Sequence, residues 1–138
     1  MYLSGGRHKG GDDGVSIDAA GYSVWVVASR DVRLSSLRNM TRNLLSVVAE
    51  MVAKPGKEDE LKRHLIALVA PTLNEEGCVQ YDLHQSTSEP GRFVFYENWT
   101  SREMLDRHAK SEHITAFRGI RDEFLAEPGR VLTYTRIA

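Results

Sequence analysis

Two eight-residue runs, CVQYDLHQ (Cys78–Gln85) and RFVFYENW (Arg92–Trp99), stand six residues apart across STSEPG, and they constrain the fold more than any other feature. Both are rich in β-branched and aromatic residues, and so short a loop holding Pro and Gly closes an antiparallel hairpin. The first run alternates, with Val79, Tyr81 and Leu83 on one face and Cys78, Gln80, Asp82 and His84 on the other. Setting Gln85 opposite Arg92 puts Gln80 across from Glu97 and His84 across from Phe93; a one-residue slip would reverse this. In the second run Phe93, Phe95 and Trp99 occupy one phase, while Val94 and Tyr96 occupy the other.

The segments flanking this hairpin complete a pattern. LLSVVAEMVA, from Leu44, is a near-continuous apolar run stopped by Lys54-Pro55-Gly56, which reads as a strand buried on both faces. Glu58, Asp59 and Glu60 then suit a helix N-terminus. Leu61, Leu65, Leu68, Val69 and Leu73 recur at helical spacing before Gly77, with Pro71 expected to kink the helix or split off its last turn. After the hairpin, Thr100 or Ser101 caps a helix on which Met104, Leu105 and His108 share a face. A second helical stretch carries Ile114, Phe117, Ile120, Phe124 and Leu125 to Pro128-Gly129, and RVLTYTRIA is a last strand.

The order is β-α-β-β-α-β, an α+β ferredoxin-like arrangement with an antiparallel four-stranded sheet and its helices on one face. The other face is uncovered in a monomer yet carries apolar and aromatic residues, so a homodimer through the sheet faces is expected. At 138 residues there is room for one such domain, placed at 40–138. Residues 1–39 differ in character: GGRHKGGDDG is polar and without period, and Tyr22–Ser29 is a short strand-like stretch. They read as a flexible N-terminal extension or as an upstream start placed before the true one at Met40. The apolar stretch there is short and followed by arginines, the wrong order for a secretory signal, and four aspartates argue against a transit peptide.

A net charge of −1 gives no basic stripe for nucleic acid and no attraction to an anionic membrane. No run approaches the ~18 apolar residues of a membrane span. The single cysteine, Cys78, makes neither an internal disulfide nor a thiolate metal site, which fits a cytoplasmic protein. There is no Gly-rich nucleotide loop of either common kind.

The runs VVAEMVAKPGKEDEL, EEGCVQYDLHQS and FVFYENWTSREMLDRHAKSEHITAF resemble the antibiotic biosynthesis monooxygenase family, from about Val47 to Phe117. A strand ending in Pro-Gly, a Glu-Gly pair before the second strand, and a YENW strand leading into HAKSEH carry the likeness, which is nearest the family's quinol monooxygenase-like branch. The resemblance implies a dimeric α+β barrel with a pocket between sheet and helices. It also implies oxygenase chemistry on quinols or polyphenols with no cofactor, the reactants being a small aromatic substrate and O2. The family also contains haem-degrading enzymes and an isomerase of a phosphorylated metabolite, and a non-catalytic aromatic-binding dimer is a further alternative.

Cofactor-free oxygenation needs a base, a dry pocket and hydrogen-bond donors, since an electron-rich phenolate can pass an electron to O2 itself. His113 and His108 are the leading candidates for the proton, imidazole being matched to neutral pH. Their i, i+5 spacing does not stack them on a straight helix, but a break near Lys110–Ser111 would let both approach one pocket. Glu97, a carboxylate inside an aromatic strand, is either paired, exposed or a pocket base. Trp99, Tyr81 and Phe117 would wall an aromatic substrate, Asn98 or Glu97 would orient its phenolic oxygen, and His64, flanking the apolar stripe of the first helix, is either structural or a substrate contact at the pocket edge. No histidine pair has a recognised ligand spacing, so no metal is assigned.

Overall fold

In this computed structural model the described residues are 43–138, together with two short strands, β1 (Val15–Ile17) and β2 (Ser23–Trp25). The chain divides into two units, residues 1–39 and 40–138. In the first, β1 and β2 pair antiparallel with Val15 opposite Trp25. The strand-like stretch at Tyr22–Ser29 thus contains a strand, while GGRHKGGDDG and the start at Met40 lie outside the described residues.

The second unit runs β3 (Leu45–Val52), α1 (Glu58–Leu73), β4 (Cys78–Gln85), β5 (Arg92–Trp99), α2 (Arg102–His108), α3 (Glu112–Ile120), a 3-10 turn (Arg121–Glu123) and β6 (Arg130–Thr135). Its sheet has the order β4-β5-β3-β6, every neighbour antiparallel, which is the ferredoxin-like topology. None of the described helices is long and apolar enough to cross a membrane.

The core forms on the helix side. Val47 and Ala49 of β3, Tyr81 of β4 and Phe93, Phe95 and Trp99 of β5 point into it, meeting Leu61, Leu65 and Leu68 of α1. Each large apolar side chain so buried contributes roughly 1.5–3 kcal/mol. The other side of β3, at Ser46, Val48 and Glu50, is only half-buried, so the strand is not enclosed on both faces as its composition implied. Alternation along β5 divides the chemistry: odd positions 93–99 face the helices, and Val94, Tyr96 and Asn98 face the open side.

Three local expectations are corrected. The hairpin is slipped by one residue, with Gln85 opposite Phe93, His84 opposite Val94 and Tyr81 opposite Glu97. A bulge between Cys78 and Gln80 absorbs the extra residue, so Val79 leaves the face it would share with Tyr81 and is half exposed. On α1 it is Thr72, fully buried, that continues the stripe after Leu68, whereas Leu73 is half exposed. Pro71 does not split off the last turn; the carbonyl it leaves without a partner belongs to Ala67, on the exposed side where water can satisfy it.

Gly77 turns the chain from α1 into β4 with a φ of +82°. A Cβ there would clash with the Met104 side chain, so both backbone and space demand glycine. Downstream, Ser101 caps α2 by accepting a hydrogen bond from the Met104 amide. The helical stretch then breaks at Ala109–Ser111 and restarts at Glu112. That break sets the two histidines.

Candidate active site

Between the core face of the sheet and the helices lies a cavity of about 450 Å3, within the roughly 300–1,000 Å3 usual for small-molecule sites. Ala49, Leu68, Tyr81, Phe95, Leu105 and Phe117 give it apolar walls, and Glu97 and His108 put polar atoms into them. Val131 and Thr133 of β6, a strand whose residues are all exposed, also line it.

His108 is held from behind. Its Nδ1 lies 2.8 Å from Glu75 Oε1, and a carboxylate can only accept, so Nδ1 carries the proton and donates it. Tyr81 meets the ring edge-on at 5.4 Å and Trp99 lies against it at 4.8 Å between centroids. His108 lines the cavity, and its Nε2 makes no hydrogen bond to the described residues. No fully buried side-chain nitrogen or oxygen among them lacks a partner, so Nε2 is accessible. Burial lowers the His108 pKa, against the pull of Glu75, and the ring stays neutral near pH 7. A neutral imidazole with Nδ1 anchored and Nε2 open is a base aimed into the pocket.

Glu97 is anchored in the same manner. It is buried, one oxygen accepts a hydrogen bond from the Trp99 indole N–H at 2.7 Å, and the carboxyl borders the cavity. Burial pushes its pKa up to about 7, the indole pulling it down and Glu75 adding to the rise. Near neutrality it therefore exists in both forms and can give or take a proton. The Tyr81 hydroxyl is held well above its ordinary value by burial and by the Glu97 charge, so it remains a neutral phenol. Cys78, pushed up to about 11 by burial and the same two carboxylates, is no nucleophile at neutral pH.

His113 stands behind His108, 6.0 Å away between ring centroids. Its Nε2 is 2.9 Å from the same Glu75 oxygen and hydrogen-bonds Thr72 Oγ1 at 3.0 Å. Glu75, Thr72 and His113 thus form a layer that fixes His108. Glu75 and Thr72 were not singled out in the sequence; Thr72 as a polar member of the α1 stripe was the one available signal. Glu75, His108 and His113 also offer three ligand atoms within 4.8 Å of one another, a two-histidine, one-carboxylate set that spacing alone did not reveal.

The remaining expectations divide. Tyr81 and Phe117 line the cavity with His108 and Glu97. Trp99 is fully buried and supports the site through Glu97 and His108 instead of walling it. Asn98 cannot orient a substrate in this cavity, because alternation puts it on the open face, bonded to Ser46 and Gln80. His64 packs its ring on Phe124 at 4.7 Å and does not line the cavity.

A ferredoxin-like sheet with an aromatic, acid–base pocket on its helix side meets its family here: residues 44–119 match the antibiotic biosynthesis monooxygenase model, and the chain belongs to that family. Among curated relatives it is similar to "Putative monooxygenase Rv0793" of Mycobacterium tuberculosis, 34% identical over 61% of this chain and 82% of that one. It is likewise similar to "Putative monooxygenase YcnE" of Bacillus subtilis, 29% identical over 62% and 90%. Among solved structures, PA3566 from Pseudomonas aeruginosa superposes with a TM-score of 0.67 at 35% identity, covering 71% of this chain and 98% of that one. The Rv0793 structure gives 0.65 at 32%, covering 69% and 96%.

Proposed function

We propose that this monooxygenase-family protein oxygenates a quinol or polyphenolic aromatic without a cofactor. One observation carries the reading: His108 and Glu97 line a single apolar cavity, each with one polar atom bonded to a neighbour and the other without a hydrogen-bond partner among the described residues. His108 Nε2 takes a proton from the substrate, the resulting anion gives electrons to O2, and a carbon–oxygen bond forms as a hydroperoxide. Where that carbon bore hydrogen, loss of water leaves a carbonyl: one oxygen atom enters the product, the other leaves as water, and O2 is the oxidant throughout. Glu97, protonated in part near pH 7, supplies the proton that lets hydroxide depart. Tyr81 and Phe117 hold the ring. His113 stays behind, sharing Glu75 and keeping His108 in its working tautomer.

The same reading includes a homodimer. On the open face Tyr96, Leu132 and Tyr134 are exposed beside Val48, an apolar row that no helix of the described residues 43–138 covers. It also includes a cytoplasmic location, in keeping with one unpaired thiol.

The test is oxygen uptake by protein stripped of metal and flavin, on reduced naphthoquinols and anthrones, against autoxidation without protein. Uptake proportional to protein and yielding a quinone or hydroxylated product is expected. A folded protein giving no uptake above background on any of them overturns the reading.

A further inference from the structure

Arg102 begins α2, Arg118 lies in the last turn of α3 and Arg121 begins the 3-10 turn, and all three line the cavity. In sequence they are scattered; the break between α2 and α3 gathers them. They stand at its mouth, not in its depth: the side chains of Arg102 and Arg121 are 68% and 39% exposed, and Arg118 is exposed.

One carboxylate, Asp106, shares that rim and is bonded to Arg102 at 3.2 Å. Arg121 meets Asp122 at 3.7 Å, and Asp122 is 94% exposed, a pair that water screens almost fully. Arg118 spends one N–H on the Ala109 carbonyl at 2.9 Å, which fixes its guanidinium beside the α2–α3 turn and leaves its remaining donors free. Arg118 has no acidic partner among the described residues and Arg121 only the solvated Asp122, so positive charge is in excess at the mouth of a protein whose overall charge is −1. This is a local field over an otherwise apolar pocket, where planar guanidinium donors suit carboxylate and phosphate oxygens.

We infer that the substrate is an aromatic carrying an anionic substituent, which Arg118 and Arg121 hold at the mouth while the oxidisable ring lies inside against His108 and Glu97. The assignment of the reacting end rests on the oxygenase reading; the charge preference does not, and it can be measured without turnover.

The experiment uses redox-inert probes with the full chain: 2-naphthol, 3-hydroxy-2-naphthoate and 1-naphthyl phosphate, titrated calorimetrically in low salt and in 0.5 M NaCl. At least one anionic probe is expected to bind about tenfold or more tightly than naphthol, and salt and Arg121→Gln should each erode that margin. Arg118→Gln should erode it too. Because Arg118 also braces the α2–α3 turn, Arg121→Gln, on a half-exposed side chain, keeps the test sound if Arg118→Gln misfolds. Which anion gains more decides between carboxylate and phosphate sources. Equal affinity for all three probes, or a margin that survives Arg121→Gln and 0.5 M salt, overturns the inference. Oxygen uptake on 1,4-dihydroxy-2-naphthoate is read separately: absent uptake with the charge preference intact counts against the oxygenase reading alone.

Discussion

Glu97→Gln should make the folded protein more stable, by a margin that opens between about pH 4.5 and 7 and persists at higher pH. The side chain is 3% exposed, and burial holds its carboxyl at about 7 against an ordinary 4.5. At about 1.4 kcal/mol per pH unit, the ionised form of the folded protein then carries a penalty of about 3 kcal/mol. Between those two values the folded protein keeps a proton that the unfolded chain has released, so stability falls as pH rises through the window and levels off above about 8. Glutamine keeps an oxygen for the Trp99 N–H and has nothing to ionise. The difference between the proteins should therefore be small near pH 5 and approach about 3 kcal/mol in favour of the variant near pH 9. His108 works in the opposite sense: its lowered pKa costs stability as pH falls, but it does so in both proteins and cancels from the difference. Urea unfolding followed by far-ultraviolet circular dichroism at five pH values measures this without relying on Trp99, whose emission the substitution would alter. A stability difference that does not change between pH 5 and 9, or a variant weaker at pH 9, would refute the buried-acid account. The same variant should lose turnover, since it cannot release a proton.

His108→Gln should lower turnover by about 10²-fold or more with the fold intact, as expected when a positioned base is removed, read from initial rates and a thermal melt. Gly77→Ala should destabilise by more than about 2 kcal/mol, because the strained φ and the Met104 clash add. Gly56→Ala, at the same φ of +82° with open space around it, should cost only about 1 kcal/mol, and paired denaturant curves compare them. Tyr96→Asp should shift a sheet-face dimer to monomer in sedimentation velocity while leaving the monomer's circular dichroism unchanged. Prolonged chelation should leave oxygen uptake unaltered; a loss restored by added metal would reassign Glu75, His108 and His113 as ligands.

The element order was legible because each segment announces its period: Phe93, Phe95 and Trp99 in one phase of β5, Leu61, Leu65 and Leu68 along α1. The break at Ala109–Ser111 had been only a condition for bringing both histidines to one pocket, and the structure contains it. The hairpin register was not legible, because a bulge at Val79 leaves no local signature when Gln80, Asp82 and His84 are polar whichever way they face. Nor was the Glu75 contact. It joins a turn residue to side chains 33 and 38 positions away, and one acid among 19 carries no mark of that meeting. Asn98 was set beside Glu97 in the site although strand alternation turns adjacent side chains to opposite faces.

Strand β5 serves two masters through one backbone. Its odd-numbered side chains hold the acid, the indole that anchors it and the ring under Tyr81; its even-numbered ones face away, toward the surface offered for association. The two sets share peptide bonds but almost no neighbours, so each can be rewritten while the other is left alone. Pocket chemistry and assembly can therefore be altered independently by single substitutions. A one-residue insertion anywhere along the strand would exchange them at a stroke, turning a carboxylate outward and a tyrosine in.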